Sequence, residues 1–79
     1  CKMKFLVSAE PNAKLVVIIY DADQNIIHQE AIANKKLYNF ANLLDGKYKM
    51  EILNAKKQVI QTKTFNILTE VKRDLVAVQ

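Results

Sequence analysis

From residue 46 onward the chain alternates strictly, with Tyr48, Met50 and Ile52 on one side and Lys47, Lys49 and Glu51 on the other. Successive side chains of a β-strand point to opposite faces, so this period of two predicts a strand with one face on a core and one in water. The Asp45-Gly46 pair supplies the turn that opens it, and Gly46 is the only glycine. Residues 3–9 alternate as well, placing Met3, Phe5, Val7 and Ala9 together. Leu6 interrupts their polar side, which predicts partial cover on both faces. Pro11 lacks the ladder donor and ends this strand. Residues 14–20 read differently: after Lys14, the run Leu15-Val16-Val17-Ile18-Ile19-Tyr20 is apolar and rich in β-branched side chains. Such a run predicts a central strand with little solvent on either face.

Asp21-Ala22-Asp23-Gln24-Asn25 reads as a turn, because its side chains bond nearby backbone or tolerate the left-handed region. Strand character resumes over residues 26–33, breaks at Asn34-Lys35-Lys36 and returns briefly over 37–41. Asn54-Ala55-Lys56-Lys57 fits a four-residue hairpin loop. The return strand covers 58–67, with Phe65 and Ile67 as core anchors. After a break at Thr69-Glu70, residues 71–78 read as a last strand. Seven short strands at roughly 8–12-residue spacing predict a single all-β domain over 1–79, a seven-stranded antiparallel β-sandwich. Val17, Ile19, Phe40, Tyr48, Met50, Ile52 and Phe65 are its expected shared core.

Composition tightens this reading. A chain of 79 residues is near the lower limit for independent folding, and its 51% hydrophobic share must supply the core. One cysteine forms no internal disulfide, and one histidine with one cysteine builds no structural zinc site without several carboxylates. Twelve basic residues against eight acidic ones give a net charge of +4. The lysines are scattered at strand ends and alternate positions, which keeps outer faces and edges wet. A nucleic-acid surface needs charge gathered on one face with aromatics for stacking, so no nucleic-acid partner is expected. No run approaches the ~18 apolar residues that read as a membrane span, and no signal peptide is visible.

Candidate chemistry is sparse. Asp21, Asp23 and Asn25 are spaced like the first half of a calcium loop, but the sixth position is Ile26 and the twelfth Ile32, where glycine and glutamate belong. A turn bonding its own backbone accounts for them. His28 and Glu30 share one face of the third strand, but Ser8 is the only serine and no nucleophile, base and oxyanion site come together. No catalytic residue, metal site or cofactor is expected. Tyr48 reads as a core ring whose hydroxyl bonds neighbouring loop backbone, as in a tyrosine corner.

Leu43-Leu44-Asp45-Gly46-Lys47-Tyr48-Lys49-Met50-Glu51-Ile52 resembles the L-x-x-G-x-Y-x-x-x-V signature of small immunoglobulin-like, fibronectin type III-like and prealbumin-like sandwiches. Ahead of it, Val17 through Ile27 resembles their strand–D-x-x-G–strand hairpin, with Gln24 standing where the glycine is expected; this leaves the left-handed position to Asn25. Residues 15–67 are similar in order and spacing to exported proteins of Bacteroidetes-type bacteria. Two groups there fit: the C-terminal sorting domains of type IX secretion, and small sandwich domains of unknown function. The strand over 71–78 extends past the point where a sorting domain ends, which favours the second group.

The resemblance implies an exported, non-enzymatic module that works through protein or cell-surface contacts, located in the periplasm, outer membrane or cell surface. A carbohydrate-binding accessory module is the alternative; it needs exposed aromatics, and Tyr20 and Tyr38 are the rings to locate. Cys1 stands where cleavage of a bacterial lipoprotein signal peptide leaves its acylated cysteine, but strand character from Met3 leaves no polar spacer of the usual kind, which favours a start cut from a longer chain. Lipid attachment there would be the only membrane contact, since several acyl chains anchor stably where one alone is marginal. Lys2 and Lys4 would add weak attraction to anionic lipid.

Overall fold

The computed structural model describes residues 4–11 and 13–68. Within them the chain forms β1 (Lys4–Ser8), β2 (Leu15–Tyr20), β3 (Ile26–Ile32), β4 (Lys35–Asn39), β5 (Gly46–Leu53) and β6 (Val59–Ile67). β1 and β4 form a two-stranded sheet, and the other four form a sheet in the order β3-β2-β5-β6. Every pairing is antiparallel. The protein is therefore all-β and built of two antiparallel sheets. Cys1, Met3 and the strand expected over 71–78 lie outside the described residues.

β2 sits at the centre of the larger sheet because its sequence has no polar face to offer water. Val17 lies opposite Glu30 on one side and Ile52 on the other; Ile19 lies between His28 and Met50. Leu15, Val17, Ile19, Met50 and Ile52 thus share an inner face and are buried, with Val17 wholly enclosed. Ile18 points the other way, between Gln29 and Glu51, and is also buried. The expectation of cover on both sides of this strand holds.

The smaller sheet contributes Phe5, Val7 and Tyr38 to the same core, and Phe40, just after β4, joins them. Their rings meet those of the larger sheet in a ladder: Phe40 stacks on Phe65 at 4.7 Å between centroids, Phe65 on Tyr48 at 5.6 Å, and Phe5 lies 5.6 Å from Phe65. All seven expected core residues pack there, six of them buried and Tyr48 partly so.

Two expectations are corrected in the smaller sheet. β4 begins at Lys35, two residues before the predicted start, because pairing with β1 sets its register: Phe5 faces Tyr38 and Ser8 faces Lys35. Phe40 follows the strand, and the chain turns there through Ala41 N–H to Asn39 Oδ1 (3.0 Å) and Leu43 N–H to the Phe40 carbonyl (3.1 Å). Leu6 is 61% exposed opposite Leu37, so β1 is covered on its inner face alone.

The hairpin loops after β2 and β5 share one hydrogen-bond scheme. Asp21 Oδ1 accepts from Asp23 and Asn25 N–H, both at 2.9 Å, and Asn54 Oδ1 accepts from Lys56 and Gln58 N–H, also at 2.9 Å. In each, the first carbonyl accepts from the fourth N–H, and the first N–H donates to the fifth carbonyl. The fourth residue carries the positive φ, 64° at both Gln24 and Lys57. This corrects the assignment of the left-handed position to Asn25. Bonds made by the first side chain and backbone fix which residue must turn, and they place it at the fourth. An L-residue there is strained by about 1 kcal/mol, part of which glycine returns as unfolded-state entropy. Gln24→Gly and Lys57→Gly should each stabilise the protein by about 0.5 kcal/mol. A urea titration of the double variant should show a raised midpoint; a lowered one would contradict the strain.

Gly46 has φ 154°, and a Cβ there would meet only the Tyr48 ring, at 3.9 Å. Space is available and the backbone is the obstacle. Gly46→Ala should therefore cost about 1 kcal/mol through strain rather than clash, read as a lowered thermal midpoint. A melt matching that of the parent would remove this turn from the account. The Tyr48 hydroxyl donates to the Leu44 carbonyl at 2.6 Å, the expected loop bond.

Candidate functional site

Glu30 occupies the inner face of β3, directly across from Val17. Its side chain is half-buried at the rim of the core, and its partners lie where β3 approaches β4. The Tyr38 hydroxyl donates to Oε1 at 2.5 Å, and His28 Nε2 lies 3.0 Å from the same oxygen. Lys36 Nζ reaches both carboxylate oxygens, at 2.8 and 3.0 Å. The His28 ring meets Tyr38 edge-on at 5.9 Å, and Lys36 Nζ lies 5.5 Å from the centre of the Tyr38 ring. Three residues, His28 from its own strand and Lys36 and Tyr38 from the smaller sheet, thus converge on one carboxylate.

Their electrostatics follow from the geometry. Hydrogen bonds from Lys36, Tyr38 and His28 hold the Glu30 carboxyl down at about 2, against an ordinary 4.5. Burial, reinforced by the bond to Glu30, pushes the Tyr38 hydroxyl up. Glu30 stays ionised and Tyr38 stays protonated across ordinary pH. The cluster is a lock between sheets: its carboxylate oxygens are taken and its hydroxyl proton is held.

Beside it, a cleft of about 380 Å3 opens between β3 and β4. Ile19, Phe40 and Leu43 line its depth, and the exposed Ile27, Leu37 and Asn42 line its mouth. An apolar hollow with a few polar groups at its rim is suited to holding a side chain or small ligand.

The other residues singled out by the sequence are placed as follows. Both Asp21 oxygens are engaged, Oδ1 by two backbone N–H groups and Oδ2 by Asn25 Nδ2 at 3.2 Å. The Asn25 N–H bond, the largest influence, holds the Asp21 carboxyl below its usual range. Among the described residues, no group of three or more His, Cys, Asp or Glu is placed to hold a metal ion. Ser8 pairs with Lys35 across the smaller sheet, on the strand face opposite Val7, and is not brought to His28. Tyr38 is buried. Tyr20 lies on the outer side of β2 with Lys49 Nζ 4.7 Å from its ring centre; burial and then Glu51 raise its hydroxyl. Cys1 lies outside the described residues.

The sequence brought out His28 and Glu30 as a pair and Tyr38 as a ring to locate, but it joined neither Tyr38 nor Lys36 to that pair. Their contribution depends on how the smaller sheet pairs, and strand alternation carries no signal of that. No family model, curated protein or solved structure matches the chain.

Proposed function

We propose that this chain is a non-enzymatic, immunoglobulin-like seven-stranded sandwich module that holds an extended segment of a partner protein along β3. One observation carries the reading. β3 is a seven-residue strand at the end of its sheet, with Ile26 and Ile27 exposed at 54% and 43%, and it borders the apolar cleft. Edge strands are commonly guarded by charge at such positions, whereas an apolar start beside a hollow invites strand addition. Main-chain bonds along β3 would give affinity, and a partner side chain in the cleft would give selectivity. The module belongs to an exported bacterial protein on this reading, with lipid attachment at Cys1 as its route to a membrane. Intact-mass measurement of the protein from its native membranes tests that attachment, and a free Cys1 thiol rejects it.

The partner reading is tested with a displayed library of extended peptides followed by NMR titration of the best binders. Shifts should concentrate on β3 and the cleft, and Ile27→Asp should weaken binding about tenfold or more. Binders indifferent to Ile27→Asp overturn the site. Glycan binding lost on Tyr20→Ala would favour the carbohydrate-binding alternative, and saturable ester, glycoside or phosphoester hydrolysis abolished by His28→Ala would make the protein an enzyme.

A further inference from the structure

β3 ends the larger sheet, and among the described residues it pairs with β2 alone. Read outward from its middle residue, Gln29, the strand is its own complement. His28 and Glu30 stand one place out on either side, Ile27 and Ala31 two places, and Ile26 and Ile32 three. Two such strands laid antiparallel about a two-fold axis at Gln29 set His28 opposite Glu30 of the second copy, twice over. They also set Ile27 opposite Ala31 and Ile26 opposite Ile32. Cross-strand pairs of complementary polar groups or of apolar side chains favour a pairing, and like charges oppose it.

We propose that β3 adds to β3 of a second copy of this chain, joining the two larger sheets into one continuous sheet. This rests on the reading of β3 as an edge that accepts a strand, and it names the occupant. The register is selective. An axis at His28 would set imidazole against imidazole and Ile26 against Glu30, and an axis at Glu30 would set carboxylate against carboxylate. Of these central registers, the one at Gln29 alone matches every pair. The other end of the sheet offers no equivalent, because Lys63 is the one charged residue of β6 and no register there pairs opposite charges.

The structure places these groups where the pairing needs them. β3 runs in regular register against β2 from His28 to Ile32. A two-fold axis through the sheet keeps the inner faces of both copies on one side, as a self-complementary interface requires. His28 and Glu30 share that inner face, 3.0 Å apart, with side chains 43% and 26% exposed. Pairing the copies turns this couple into an alternating group of two imidazoles and two carboxylates. Ile26 and Ile27, exposed at the start of the strand, gain apolar neighbours. Gln29 is exposed on the outer face, so its two copies meet away from the Glu30 cluster. One strand per copy is a small contact, which places the dimer among weak, reversible ones.

Sedimentation of the full chain between about 10 μM and about 1 mM should show a reversible monomer–dimer equilibrium. His28→Glu sets a carboxylate opposite Glu30 in both pairs at once and should weaken dimerisation about tenfold or more. Facing residues of an antiparallel pair have Cα atoms about 4.5–5.5 Å apart, within the span of a disulfide. In a Cys1→Ser background, Gln29→Cys should therefore cross-link into a dimer under mild oxidation, whereas Ala31→Cys, which faces Ile27, should not. This second test does not depend on whether His28→Glu folds. A chain that stays monomeric yet binds displayed peptides at β3 overturns the second copy and leaves the partner reading in place. A monomer that binds none overturns both. A dimer in which Gln29→Cys cross-links no faster than Ala31→Cys is joined elsewhere and overturns this pairing, as does one that a folded His28→Glu variant leaves unweakened.

Discussion

Phe65→Ala should leave the protein largely without fixed tertiary structure, with near-ultraviolet dichroism lost and the urea midpoint reduced by more than half. Phe65 is the ring on which the two sheets meet. It stacks on Phe40, just after β4, and on Tyr48 from its own sheet, and lies beside Phe5 of the smaller sheet. Truncating a buried phenylalanine costs about 3–5 kcal/mol through lost transfer energy and the cavity left behind. A domain of 79 residues holds about 4–12 kcal/mol in total, and a small one without disulfide or metal belongs at the lower end. The loss is therefore comparable with the whole. Phe65→Leu, which keeps most of the volume, should cost only about 1 kcal/mol. Equal urea midpoints for the two variants would show that this ladder is not what joins the sheets.

The second large effect is a dependence on acid. Glu30 has a folded-state value of about 2 against an ordinary 4.5, so between these limits the unfolded chain binds more protons than the folded one. Stability from this group is fully present above about 4.5 and is lost as pH falls toward 2. With its side chain 26% exposed, solvent screening reduces the full linkage to about 1–2 kcal/mol. Urea midpoints measured from pH 6 down to pH 2.5 should fall accordingly. Glu30→Gln should be less stable at pH 6 and should flatten that fall. A variant with the same acid slope as the parent would mean that other carboxylates set it. Because Glu30 joins β3 to Tyr38 and Lys36 of β4, the cleft between those strands should be the first region whose amides lose protection.

What could be read from the residues alone was local. Alternation around Tyr48 placed Met50 and Ile52 inward, the β-branched run made β2 central, and Asp21 announced its own turn. Each of these depends on neighbours within a few residues, where the chain geometry is fixed by the strand period or by a side chain reaching adjacent backbone. Gln24 shows the limit of such reading: the composition signalled a turn, but the hydrogen bonds of Asp21 decided which residue took positive φ.

Pairing between distant segments was decided by the tertiary structure. The period of two tells a side chain which face it occupies and says nothing of which strand lies alongside. β1 and β4 are some thirty residues apart, and their register moved β4 two residues earlier and carried Lys36 and Tyr38 to Glu30. In sequence Glu30 is a charged residue in a strand, next to a histidine two places away. Only the meeting of two sheets makes it a shared ion pair and hydrogen-bond centre, because the Lys36 ammonium and Tyr38 hydroxyl come within reach of its carboxylate only when both sheets are in place.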